Sequence, residues 1–89
     1  MNRILISYDL IAPGRDYDDL YSYLKNFSKW ATPLESVWVV KTAKSHTDIK
    51  REIVDNYLDH NDKLLVVDIT RSASTWHNIA NEDWIKNNQ

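Results

Sequence analysis

At 89 residues the chain is shorter than the ~100–150 residues typical of one domain, which excludes a second independent core. It contains no cysteine, so a disulfide framework, a thiolate metal site and a cysteine nucleophile are all excluded. Four Trp, five Tyr and one Phe in a chain that is 43% hydrophobic exclude disorder as the main state, and a formal charge of −2 with a pI near 5.8 lacks the basic excess with which duplex-DNA binders displace counterions.

The first segment, Arg3-Ile4-Leu5-Ile6-Ser7-Tyr8-Asp9-Leu10, is β-branched and aromatic and reads as a buried strand ending near Asp9. Pro13-Gly14 marks a turn, Asp16 can cap the helix that follows, and Asp18 and Asp19 suit its positively polarised first turn. From Tyr17 the spacing is helical: Leu20, Tyr21, Leu24 and Phe27 make one apolar stripe over about 17–28, with Lys25 and Lys29 at its end. Next comes a bent strand pair. Pro33 cannot donate to a ladder, so its strand is short or at an edge, while Val37-Trp38-Val39-Val40-Lys41 reads as the more central strand.

Ser45 and Asp48 form a capping-box variant before a second amphipathic helix carrying Ile49, Ile53, Tyr57 and Leu58, which Asp59-His60-Asn61-Asp62 ends. Lys63-Leu64-Leu65-Val66-Val67-Asp68-Ile69 is a near-continuous apolar strand, expected at the sheet centre or beneath both helices. A polar run from Arg71 to Thr75 then leads to Trp76, Ile79, Trp84 and Ile85, a short terminal helix or docking segment.

This order predicts an α+β, ferredoxin-like βαββαβ sandwich, with two helices on one face of a small mixed sheet. The core is expected over 1–70, and a helical tail over 71–89 packs on that core or on a partner subunit. Helices on one face leave the other bare, so the outward strand residues, with Trp76 and Trp84, predict homodimerisation or a covering C-terminal segment. The opening apolar run, Ile4 to Ile6, is too short for a signal-peptide core or a membrane span, giving a cytoplasmic reading with no membrane partner.

Familiar phosphate-loop, zinc-hydrolase and nucleotide-binding motifs are missing. The lone Gly14 cannot build a phosphate cradle, and His46, His60 and His77 lack the i, i+4 spacing of a helical zinc pair. Asp9 is the informative carboxylate, because a strand end can hold an acid rigidly beside a loop that brings in substrate. It can equally serve the loop as an acceptor of backbone N–H bonds. One carboxylate per chain is a poor Mg²⁺ site, but a two-fold axis would double it.

Ser7-Tyr8-Asp9-Leu10, the Pro13-Gly14 turn, Ser36-Val37-Trp38 and Lys63-Leu64-Leu65-Val66-Val67 together resemble the Cas-two family of CRISPR-associated proteins, closest to its small stand-alone SinR-family-like bacterial branch. The likeness covers about residues 3–70 and consists of several short motifs in the right order. It implies a ferredoxin-like homodimer and Mg²⁺-dependent cleavage of RNA or double-stranded DNA, Mn²⁺ substituting, with Asp9 as metal ligand and catalytic residue. A relative that has lost activity would still bind nucleic acid. Arg15 and Ser36 become candidate phosphate contacts, beside their plainer readings as a solvated loop charge and a serine bonded to its neighbours. Tyr8 orients Asp9 or fills the core.

The tail departs from the family pattern, since family members engaged in CRISPR adaptation continue with a strand that clasps a partner. Lys41, Lys44, Lys50 and Arg51 cluster near the second helix but are interspersed with Glu35, Asp48 and Glu52, as on a solvated face. The alternative to a nuclease is a non-catalytic dimeric interaction or regulatory module of a defence, phage or toxin–antitoxin system. A small-molecule sensor finds no convergent polar set in the sequence to support it.

Overall fold

A computed structural model describes residues 1–11 and 17–88. The elements run β1 (Asn2–Asp9), α1 (Asp18–Lys25), β2 (Lys29–Leu34), β3 (Val37–Thr42), α2 (His46–Tyr57), β4 (Lys63–Asp68) and α3 (Glu82–Asn87). They form an α+β unit around one four-stranded sheet in the order β2-β3-β1-β4. All three neighbouring pairs are antiparallel, so the mixed sheet expected from the sequence is corrected. The reason is geometric. Each helical crossover skips a strand: β1 and β2 flank β3, while β3 and β4 flank β1, so the crossover-linked strands are never neighbours.

Alternation along β1 decides the layers. Ile4, Ile6 and Tyr8 face the helices and join Trp38 and Val40 of β3, Leu20 and Leu24 of α1, and Ile49 and Ile53 of α2 in the main core. Each fully buried aliphatic side chain there contributes about 1.5–3 kcal/mol. The N-terminus of α2 is capped as the sequence predicts, with the Asp48 amide donating to Ser45 Oγ at 3.1 Å. Helix α1 is shorter than expected. It stops at Lys25, where the Asn26 amide is shared between the Ser22 and Tyr23 carbonyls, and Lys29 opens β2 rather than ending a helix. The anticipated Pro13-Gly14 turn and Asp16 cap lie outside the described residues.

Glu52 ties three elements together. Its Oε1 accepts from Lys44 Nζ at 2.6 Å, just after β3, and from Tyr23 Oη of α1 at 2.8 Å. The Lys44 contact, helped by the tyrosine, holds the Glu52 carboxyl below the usual glutamate range, and burial pushes the Tyr23 phenol well up. A depressed folded-state pKa stabilises the protein fully above the unfolded value, near 4.5, and loses that stabilisation as pH falls through the folded value. Glu52→Gln is therefore expected to flatten the acid limb of stability below about pH 4.5, which urea midpoints measured from pH 3 to 7 would check. An acid limb identical to the native one would show that Glu52 carries none of it.

Of the two places expected for β4, the sheet centre is corrected and the one beneath the helices is where it lies. It occupies an edge rather than the sheet centre, and only alternate residues, Leu64 and Val66, pack on the main core. Leu65 and Val67 face the other side and are 60% and 37% exposed. Pro33 does sit in the opposite edge strand, β2, whose pairing with β3 is irregular between Ala31 and Leu34. The tail crosses the helix-free face on the β2 side, where Ile85, Trp84, Trp76 and Ile79 pack with Ala31, Val39 and Ile69. It does not bury Leu65 and Val67, and the accessible surface of 5885 Å² exceeds the roughly 5,400 Å² expected at this mass. Among the described residues no helix is long and apolar enough to cross a membrane.

Candidate functional site

Asp9 is the last residue of β1, and the pleat turns it away from Tyr8. Tyr8 fills the helix-side core, where its hydroxyl accepts from Trp38 Nε1 at 3.0 Å. Burial pushes the Tyr8 phenol up, against the pull of that hydrogen bond. Of its two sequence readings, the core one describes where its side chain lies. Asp9 is exposed and shares its face with Ser7, opposite Lys63 and Leu65 of β4 in the antiparallel register Asp9↔Lys63 and Ser7↔Leu65. These residues, with Leu64, border a shallow recess of about 200 Å³.

Two connections frame this end of the sheet. Asp62 Oδ1 accepts from the Ile11 amide at 2.9 Å and from Tyr17 Oη at 2.7 Å, while Oδ2 accepts from the Asp59 amide at 2.8 Å. One carboxylate therefore joins the chain after Asp9, the start of α1 and the turn before β4. The second connection is the Glu35-Ser36 turn between β2 and β3, whose Ser36 carbonyl accepts from the Tyr8 amide at 3.2 Å. Ser36 lies in this turn rather than at a strand start, exposed, with φ of 57° in the left-handed region that disfavours a residue with a Cβ. Asp9 and Ser36 thus flank Tyr8 at the same sheet end. Arg15 lies outside the described residues. Trp76 and Trp84 lie in the tail on the helix-free face, half-buried against their own chain.

The donor chemistry at Asp9 is that of a hard-cation ligand: an exposed carboxylate on a rigid strand end with room for water beside it. Mg²⁺ takes one or two protein carboxylates and keeps several waters, so Asp9 fits such an ion as a partial site. Among the described residues there is no group of three or more His, Cys, Asp or Glu able to enclose a metal. The basic cluster near α2 is partly neutralised, Lys44 by Glu52 at 2.6 Å and Arg51 by Asp48 at 2.8 Å, as a solvated face would be.

Sequence reasoning missed Lys63 and Asp62. Lys63 was legible once β4 was paired antiparallel to β1, because that register sets a cation beside Asp9. Asp62 was read only as a helix stop, and its partners Ile11 and Tyr17 are 51 and 45 residues away, beyond any local pattern. Comparison of the chain with protein-family models, with curated proteins and with solved structures found no match.

Proposed function

We propose that the chain is a ferredoxin-like homodimer of Cas-two-like type that cleaves RNA or double-stranded DNA phosphodiesters with Mg²⁺ at paired Asp9 residues. The observation that carries this reading is the placement of Asp9: an exposed acid at the end of β1, with Lys63 as its cross-strand neighbour. The strand order β2-β3-β1-β4 supports the ferredoxin-like assignment, in which both crossovers skip a strand. Uncovered Leu65 and Val67 on β4 supply apolar area for a second copy on the same face as Asp9.

In this reading Asp9 and its symmetry mate would hold the ion, the Lys63 ammonium would steady a substrate phosphate by charge, and the Ser36 hydroxyl would donate to the backbone of the nucleic acid. The chemistry that bound Mg²⁺ supplies is polarisation of the phosphodiester and of an attacking water. A second reading, a non-catalytic dimeric interaction or regulatory module, is favoured by the same apolar β4 face and needs no role for Asp9.

The cysteine-free chain offers a direct test of the symmetric pairing. Asp9→Cys introduces a single thiol, and a disulfide requires Cα atoms about 4.4–6.8 Å apart. Mild oxidation, or a short bifunctional thiol reagent where the two thiols lie beyond disulfide range, is expected to convert most of the protein to a covalent dimer on non-reducing gels. A chain that stays monomeric by sedimentation, or a dimer that fails to cross-link at Asp9 but does so at Leu65→Cys, would overturn the shared metal site.

A further inference from the structure

At the other end of β1 from Asp9, about 20 Å away at ~3.3 Å per residue, Arg3 is only 5% exposed on the helix-free face. Its Nη2 donates to the Ile69 carbonyl at 2.8 Å and to the Ser72 carbonyl at 2.7 Å. Its backbone amide donates to Thr70 Oγ1 at 3.1 Å, and that hydroxyl is in turn bonded to Asp68. These bonds anchor the start of the tail. They leave the charge itself without a counterion: among the described residues no carboxylate pairs with Arg3. Asp68 is opposite Ile4 in the register, on the helix side of the sheet, where hydrogen bonds from the Thr70 hydroxyl and amide hold its carboxyl below the usual aspartate range.

The Arg3 Nε is buried and has no hydrogen-bond partner. A buried donor left unpaired costs about 1–3 kcal/mol, more for a charged group. Arg3 forms part of the wall of a groove of about 180 Å³ between the sheet and the tail. The rest of that wall is mostly apolar, with Leu5, Val39, Trp76, Trp84 and Ile85 among its residues. For comparison, an apolar cavity of about 150 Å³ accommodates benzene.

A groove with aromatic walls, the volume of one small ring system and a single buried, uncompensated cation asks for one kind of occupant. We propose that this groove binds a small aromatic monocarboxylate, its ring against Trp76 and Trp84 and its carboxylate on the Arg3 guanidinium. The anion would lie beside the Arg3 guanidinium and neutralise its charge, while the ring would replace water on apolar walls. Because two of the four tryptophans line the groove, occupancy is readable as a change in intrinsic fluorescence. The site uses neither Asp9 nor Lys63, so it stands or falls separately from the proposed nuclease.

The full chain would be titrated with benzoate and indole-3-carboxylate, with benzamide and indole-3-carboxamide as neutral matches, and with octanoate as an aliphatic acid, by calorimetry and tryptophan fluorescence. At least one aromatic acid is expected to saturate with Kd below about 1 mM and at least tenfold tighter than its amide. Arg3→Lys is expected to weaken it by a further tenfold or more, because a lysine ammonium cannot reproduce the guanidinium fork. Should Arg3→Lys fail to fold, Leu5→Phe, which fills the groove and keeps the cation, is expected to abolish binding. No saturation below about 1 mM, equal affinity for acid and amide, binding of octanoate alone, or undiminished binding by Leu5→Phe would each overturn the assignment.

Discussion

Replacing Asp9 with asparagine is expected to lower Mg²⁺-dependent cleavage of RNA or duplex DNA by about 10²-fold or more while leaving the fold intact. The substitution keeps the shape of the side chain and removes one negative charge, which a hard cation needs from its ligand and an amide does not supply. Asp9 is exposed at the end of β1 and its side chain is not part of the hydrophobic core. The loss of its cross-strand relation to Lys63 is worth about 0.2–1 kcal/mol at most, so the urea midpoint should move little. The measurement is a cleavage time course with native and variant protein under Mg²⁺ and Mn²⁺, alongside urea unfolding of both. Cleavage by the native protein that survives the substitution would place the chemistry elsewhere, and a native protein that cleaves neither substrate would leave the interaction-module reading in possession. Severe destabilisation of the variant would assign Asp9 to loop architecture instead.

Ile6→Ala and Leu65→Ala are expected to differ by several kcal/mol although each removes three carbons from the middle of a strand in the same sheet. Ile6 is fully buried between the two helices, and its truncation opens a cavity that rigid neighbours cannot fill, at a cost of about 2–5 kcal/mol. For a chain of this size the whole stability is on the order of 4–13 kcal/mol, so that one change removes a large share of it. Leu65 is 60% exposed on the outer strand and its truncation should cost within about 0.5 kcal/mol in the monomer. Urea unfolding at low protein concentration reads both. If Leu65→Ala instead proved costly in a concentration-dependent way, that loss would belong to an interface across β4, and comparable costs independent of concentration would mean that β4 is paired one residue out of register.

Where the chain carries strong local signals, the sequence reading and the structure coincide. The β-branched opening run forms β1, Ser45 caps α2 through Asp48, and Pro33 keeps β2 at an edge. Ile49 and Ile53 lie one helical turn apart and reach the core together. The apolar run 63–69 misled because a strand with apolar residues on both faces looks the same whether two layers cover it or one. β4 has one covered face, and Leu65 and Val67 stay in water. The same ambiguity conceals the site end: local pattern marks Asp9 as a strand terminus, yet nothing near it announces Lys63 as its neighbour.

Periodicity and capping chemistry, which act over three or four residues, determined in the sequence alone where strands and helices form and which of their faces are apolar. Tertiary structure alone decided that β4 adjoins β1, because that pairing joins residues more than fifty positions apart, as Asp9 and Lys63 are. It also decided that the tail folds back over the β2 side of the sheet, and that Arg3, read from the sequence as one residue of an apolar strand, lies buried at the wall of a groove. Burial of a charge depends on what covers it, and here the cover is a segment some seventy residues further along the chain.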